Sequence, residues 1–281
     1  MFDDKSSAEK LIGALVDDLL KASREDLKDG SCDYSEQSIS KLERLKVLIP
    51  IWGIEDASLD SGEINRKSNM FGGNPFTSLK HPWPLNDRES PSYPLVQVDL
   101  RQISELSGRE FGSGLLQVWL DITDSALPST IRVIDLADMG ELLQDDYPDQ
   151  EQIEKIDVYR SWFGIAQHFT FNFLGFMMPR WESYEIELDC YRDLRAKEVE
   201  IIEQLEKISE ENGFQSLNGD WFLGYPNRGS GAPAGRYDSE PTNLIQFATA
   251  DTFPMVSVSR YANLFYSNDD GEFTYFFDWN G

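Results

Sequence analysis

Histidine and cysteine are nearly absent from this 281-residue chain, with two of each, and their scarcity removes whole classes of chemistry. Cys32 and Cys190 are too few to staple a domain of this size and predict free thiols. With His81 and His168 they are scattered along the sequence without a short-range ligand pair, so no metal site is expected. Neither histidine flanks a recognisable serine or cysteine nucleophile: His81 lies in Lys80-His81-Pro82-Trp83-Pro84 and His168 in Gln167-His168-Phe169-Thr170. No catalytic residue and no cofactor is assigned. Long apolar runs are missing too, none approaching the roughly 18 residues of a membrane helix. Met1-Phe2-Asp3-Asp4-Lys5 has neither the basic start nor the apolar core of a signal peptide, which predicts a cytoplasmic protein. Basic residues are scarce as well: 25 against 50 acids, a net charge of −25. Such a body repels phosphate backbones, so direct nucleic-acid binding is not expected.

What is abundant is acid and apolar bulk. Hydrophobic residues make up 40% of the chain and aromatic residues 12%, enough to fill a core. The centre of negative charge is residues 135 to 157, where Asp135, Asp138, Glu141, Asp145, Asp146, Asp149, Glu151, Glu154 and Asp157 face Lys155 alone. The ordinary reading of such a run is a solvated face; the functional one is a docking surface for a basic protein. On the functional reading Asp145, Asp146, Asp149, Glu151 and Glu154 form the partner-binding residues. Chance adjacency among so many acids gives no reason to assign them acid–base catalysis.

The organisation of the chain is carried by a pattern that occurs twice. Gly72-Gly73-Asn74-Pro75 leads to Leu95-Val96-Gln97-Val98, and Leu223-Gly224-Tyr225-Pro226 leads to Leu244-Ile245-Gln246-Phe247, with nearly equal proline-to-glutamine spacing. A helix is predicted over 6–28 from the Ser6/Glu9 capping spacing and the periodic Leu11, Ile12, Leu15, Leu19 and Ala22. A second is predicted over about 193–212, ending at Gly213. Strands are expected at 46–52, 95–100, 114–122, 131–134 and, from its alternation, 184–188, with one helical turn near Gln102 to Leu106. The prolines at 75, 82, 84, 91 and 94 make 67–94 loop and extended chain. The glycine-rich 228–236 lacks a Walker lysine and reads as a loop, and Asn268-Asp269-Asp270-Gly271-Glu272 as a hairpin turn. Tryptophans 83, 119, 162, 181, 221 and 279 offer flat rings that could cage a cation or sugar, but most sit beside apolar residues in strand-like runs and read as core.

Lys67-Ser68-Asn69-Met70-Phe71-Gly72-Gly73-Asn74-Pro75, Trp83-Pro84, Tyr93-Pro94-Leu95-Val96-Gln97-Val98-Asp99-Leu100 and Gly114-Leu115-Leu116-Gln117-Val118-Trp119 resemble the signature run of the YwqG-like family. Gly219-Asp220-Trp221-Phe222-Leu223-Gly224-Tyr225-Pro226 is similar to that family's second segment. The resemblance spans about residues 65 to 281 and implies an α+β fold of two related subdomains, in agreement with the repeat, but no active site. The expected layout is an N-terminal helix and strand extension over 1–64, then a domain over 65–281 whose halves, about 65–160 and 213–281, are joined by 161–212. Relatives near bacterial toxin systems, which the resemblance implies, combine with the acidic charge and the lack of a catalytic set. Together they give the expected function: a non-enzymatic acidic protein that sequesters a basic partner, in its concrete form an immunity protein against a toxin such as a nuclease. The alternative is a small-molecule or peptide-binding protein, or an unrecognised hydrolase, with a site between the halves.

Overall fold

The computed structural model of the chain describes residues 5–28, 46, 49–57, 66–121, 127–143, 147–149, 166–177, 220–224, 242–247, 261–269 and 271–280. The helix expected at 193–212, the strand expected at 184–188 and the loop at 228–236 lie outside them. Among the described residues are ten strands and two α-helices. Helix α1 is Lys5–Lys28 and α2 is Leu100–Ser107. The strands are β1 (Ile49–Asp56), β2 (Met70–Gly72), β3 (Tyr93–Asp99), β4 (Leu115–Asp121), β5 (Leu127–Ile134), β6 (Ala166–Met177), β7 (Trp221–Leu223), β8 (Thr242–Phe247), β9 (Tyr261–Asp269) and β10 (Glu272–Asn280).

This overturns the expected α+β class with a helical extension: the protein is mainly antiparallel β. Strands β3 and β4 lie where strands were expected and are buried along nearly their whole length. The class differs because β6, β9 and β10 are long strands in aromatic-rich stretches to which no strand was assigned. Nor is the leading segment a helical appendage, because β1 pairs with β7 through Ile51↔Leu223, Trp52↔Phe222 and Gly53↔Trp221.

The chain divides into two compact units. One comprises Met1–Gly53, Phe173–Gln246 and Asn280; the other comprises Ile54–Asn172, Phe247–Trp279 and Gly281. In the first, α1 buries Val16 and Leu20, one turn apart on the same face. Strand β7 pairs antiparallel with β1 on one side and β8 on the other. In the second unit the order β6-β2-β3-β4-β5 is antiparallel throughout. Phe71 stacks on Phe169 with ring centroids 4.6 Å apart, and Phe76, Leu115, Ile134 and Met139 form a further apolar cluster.

The strand ends that lead into the two Gly-x-Pro segments share a backbone conformation and a register as far as Gly73 and Gly224. Met70 pairs with Gln97 and Phe71 with Val96; Trp221 pairs with Gln246 and Phe222 with Ile245. Both strands then end on two successive residues of positive φ, Gly72 (60°) and Gly73 (70°) in one, Leu223 (64°) and Gly224 (78°) in the other. Leucine occupies that region at a steric cost, so its presence at 223 shows that the turn geometry is imposed by its surroundings.

A row of side chains crosses the second unit strand by strand. His168 faces Met70, Met70 faces Gln97, Gln97 faces Gln117 and Gln117 faces Arg132. Gln117 donates to Gln97 Oε1 at 2.7 Å, and Arg132 Nε donates to Gln117 Oε1 at 2.8 Å. The row holds the proline-rich loop. Gln97 donates to the carbonyls of Arg66 and Ser68 and accepts from the Phe76 amide, while Gln117 donates to the Phe76 carbonyl. Each glutamine thus supplies the partners that a segment without regular structure needs when it is buried.

Candidate functional site

The acidic segment is the site predicted by sequence, and the structure places part of it. Asp149 is described and exposed, whereas Asp145, Asp146, Glu151 and Glu154 lie outside the described residues. Upstream, Asp135, Asp138 and Glu141 are exposed. Asp135 caps the short 3-10 turn Leu136–Asp138, accepting from the Ala137 amide at 2.8 Å. Asp138 pairs with Lys80, whose hydrogen bond and charge hold its carboxyl below the usual range, and lies 3.8 Å from His81 Nε2. The segment is thereby fixed to the proline-rich loop. An antiparallel bridge joins Ser78 to Leu142, and the Leu143 amide donates to the Thr77 carbonyl at 3.1 Å.

Several cationic groups of this unit serve the fold. Arg66 is 6% exposed and donates to the carbonyls of Asn74, Pro75 and Leu143 and to the Thr77 hydroxyl. Arg132 lies over the Trp119 ring, 5.5 Å from its centroid, and donates to the carbonyls of His81 and Pro82 as well as to Gln117. Arg109 lies over Phe111 and donates to the Tyr266 hydroxyl at 3.0 Å. Guanidinium groups used this way knit carbonyls and rings together.

His168, one of the two histidines singled out by sequence, has a serine beside it. Its Nδ1 is 2.8 Å from Ser68 Oγ, and burial pushes the imidazole below its ordinary pKa. Ser68 is one hundred positions away in sequence, which is why no local motif announced the contact. His81 occupies a tight turn: the Ser78 amide donates to the His81 carbonyl and the His81 amide to the Ser78 carbonyl, both at 3.0 Å.

Trp83 and Trp119 are core, as expected, with ring centroids 4.8 Å apart in an edge-to-face contact. Trp83 also donates to the Ser92 carbonyl and meets Tyr147, whose phenol burial pushes above its ordinary range. No group of three or more histidine, cysteine or acidic residues suited to a metal ion occurs among the described residues, and no described helix is long and apolar enough to cross a membrane. Cys32 and Cys190 lie outside the described residues. Comparison of the chain with protein-family models and with curated proteins gives no match, so the likeness to the YwqG-like family rests on the motif residues themselves.

Proposed function

We propose that this is an acidic binding protein that sequesters a basic protein, with a toxin neutralised by its immunity partner as the concrete case. The observation that supports it is the imbalance of 50 acids over 25 bases, combined with the exposure of Asp135, Asp138, Glu141 and Asp149 along one segment. A nuclease fits this charge, since a protein that grips phosphate is positive around its cleft. The fold serves the reading by tying that segment to the loop at 76–84, so its carboxylates are displayed from a fixed base.

The test is affinity capture from bacterial cells, followed by kinetics with the purified captured protein. Association is expected to slow as salt shortens the Debye length from about 10 Å at 0.1 M to about 3 Å at 1 M. Replacing Asp145, Asp146, Asp149, Glu151 and Glu154 with lysine is expected to slow it further at low salt and leave the fold intact. An unchanged association rate and salt response in that variant would reduce the segment to a solvated face. The contact between Ser68 and His168 supports the hydrolase alternative, because nucleophile and base stand within hydrogen-bond reach. Labelling of Ser68 by a fluorophosphonate, lost in His168→Ala, would transfer the assignment to that class.

A further inference from the structure

We infer that Leu79, at the tip of the Ser78–His81 turn, is the apolar anchor of the acidic surface and docks in an apolar pocket rimmed by lysine or arginine on the basic partner. The inference rests on the binding reading above and names where on the protein the contact is centred.

Leu79 is 87% exposed, the most exposed of the large hydrophobic side chains described. A lone exposed leucine is ordinary on a protein surface, so exposure by itself decides nothing. Its position does. Two residues, Leu79 and Lys80, span the reciprocal bonds between Ser78 and His81, and the backbone makes no demand on the side chain at 79. Neither residue has positive φ. A leucine side chain pointing into water contributes nothing to closing such a turn, and a polar residue there would spare the exposed apolar area.

The turn is also a rigid support. Ser78 is bridged to Leu142, Lys80 pairs with Asp138, and Arg132 donates to the His81 and Pro82 carbonyls at 3.3 and 2.9 Å. An anchor presented from a braced turn loses little conformational freedom on docking. The segment bonded to this turn carries carboxylates: Asp138 pairs with Lys80, Glu141 precedes the bridged Leu142, and Asp135 caps the 3-10 turn that ends at Asp138. That arrangement matches the general division of labour in recognition, where charge steers the encounter and a central apolar side chain in a pocket supplies affinity. Charge also selects the occupant. A second copy of a chain of net charge −25, a nucleic acid or an anionic membrane would be repelled, whereas a basic protein would be drawn in.

Two synthetic peptides of equal positive charge, one of lysine and serine and one of lysine and phenylalanine, are titrated against the full chain at low and at physiological salt. The phenylalanine peptide is expected to bind about tenfold more tightly, and Leu79→Ala to abolish that advantage while leaving serine-peptide affinity and Tm unchanged. Leu79→Met should retain most of it. Equal binding of both peptides to the unaltered protein, or an advantage that survives Leu79→Ala, overturns the anchor and leaves the acidic-surface reading standing. Failure of both peptides to bind at low salt overturns both.

Discussion

Gly73 shows how one missing side chain fixes a turn. A Cβ built there would lie 2.4 Å from the Ala166 Cβ and 2.9 Å from its Cα, and φ is +70°. Both a forbidden backbone region and a collision with the neighbouring strand would follow from any larger residue. Gly73→Val is therefore expected to cost at least ~2 kcal/mol, read as a lower urea midpoint with unchanged m-value. A midpoint equal to that of the parent would show that β6 can move aside. Leu223 makes the contrast, since it holds φ +64° while 1% exposed. Its burial, worth ~1.5–3 kcal/mol, is of a size to offset the ~1–2 kcal/mol cost of a left-handed leucine, which explains how a residue other than glycine persists there.

At the level of elements, the pair Gln97 and Gln117 is what turns a sheet into a support for the surface loop. Gln97 is 1% exposed and engages four partners: the carbonyls of Arg66 and Ser68, the Phe76 amide and Gln117. Gln97→Leu keeps the volume and strands those groups. With ~1–3 kcal/mol for each buried polar group left unpaired, a loss of about 3 kcal/mol or more is expected in denaturant unfolding, against less than about 0.5 kcal/mol for the exposed Leu79→Ala. A loss below about 1 kcal/mol would mean that the remaining bonds from Arg66, Gln117 and Arg132 hold the loop without Gln97. These elements also show which parts of the structure could be read in advance. Strands β3 and β4 were visible as runs of Val, Leu and Trp, and the turn near Gln102 proved to be α2, capped by Asp99 and closed by Gly108 at φ +66°. Asn268 accepting from the Gly271 amide marks the expected turn between β9 and β10. The β class was missed although β6 alternates Phe169, Phe171 and Phe173 with Thr170 and Asn172, because no strand was assigned there and its partner strand is far away in sequence, as Met70 is from His168. The acids of the candidate surface could be read directly. Leu79 could not, because exposure of a leucine is decided by a turn whose closing bonds are invisible in sequence.

For the molecule as a whole, 25 uncompensated negative charges repel one another in the folded state more than in the expanded one. Sodium chloride screens that repulsion. Raising it from about 0.01 to 0.5 M is expected to increase Tm, with each ~1 kcal/mol of relief worth about 2–4 °C for a chain of this size. A falling Tm would show that exposed ion pairs such as Lys46–Asp17 outweigh the net charge. The pairing of β1 with β7 carries a different consequence, one of timing during synthesis. Ile51 faces Leu223, 172 positions later in the chain. At about 5–20 residues per second, β1 emerges from the ribosome roughly ten to thirty seconds before its partner strand exists. During that interval the nascent segment Ile51-Trp52-Gly53 lacks its β7 neighbour, so a chaperone or a transient non-native pairing has to shield it until translation reaches Trp221.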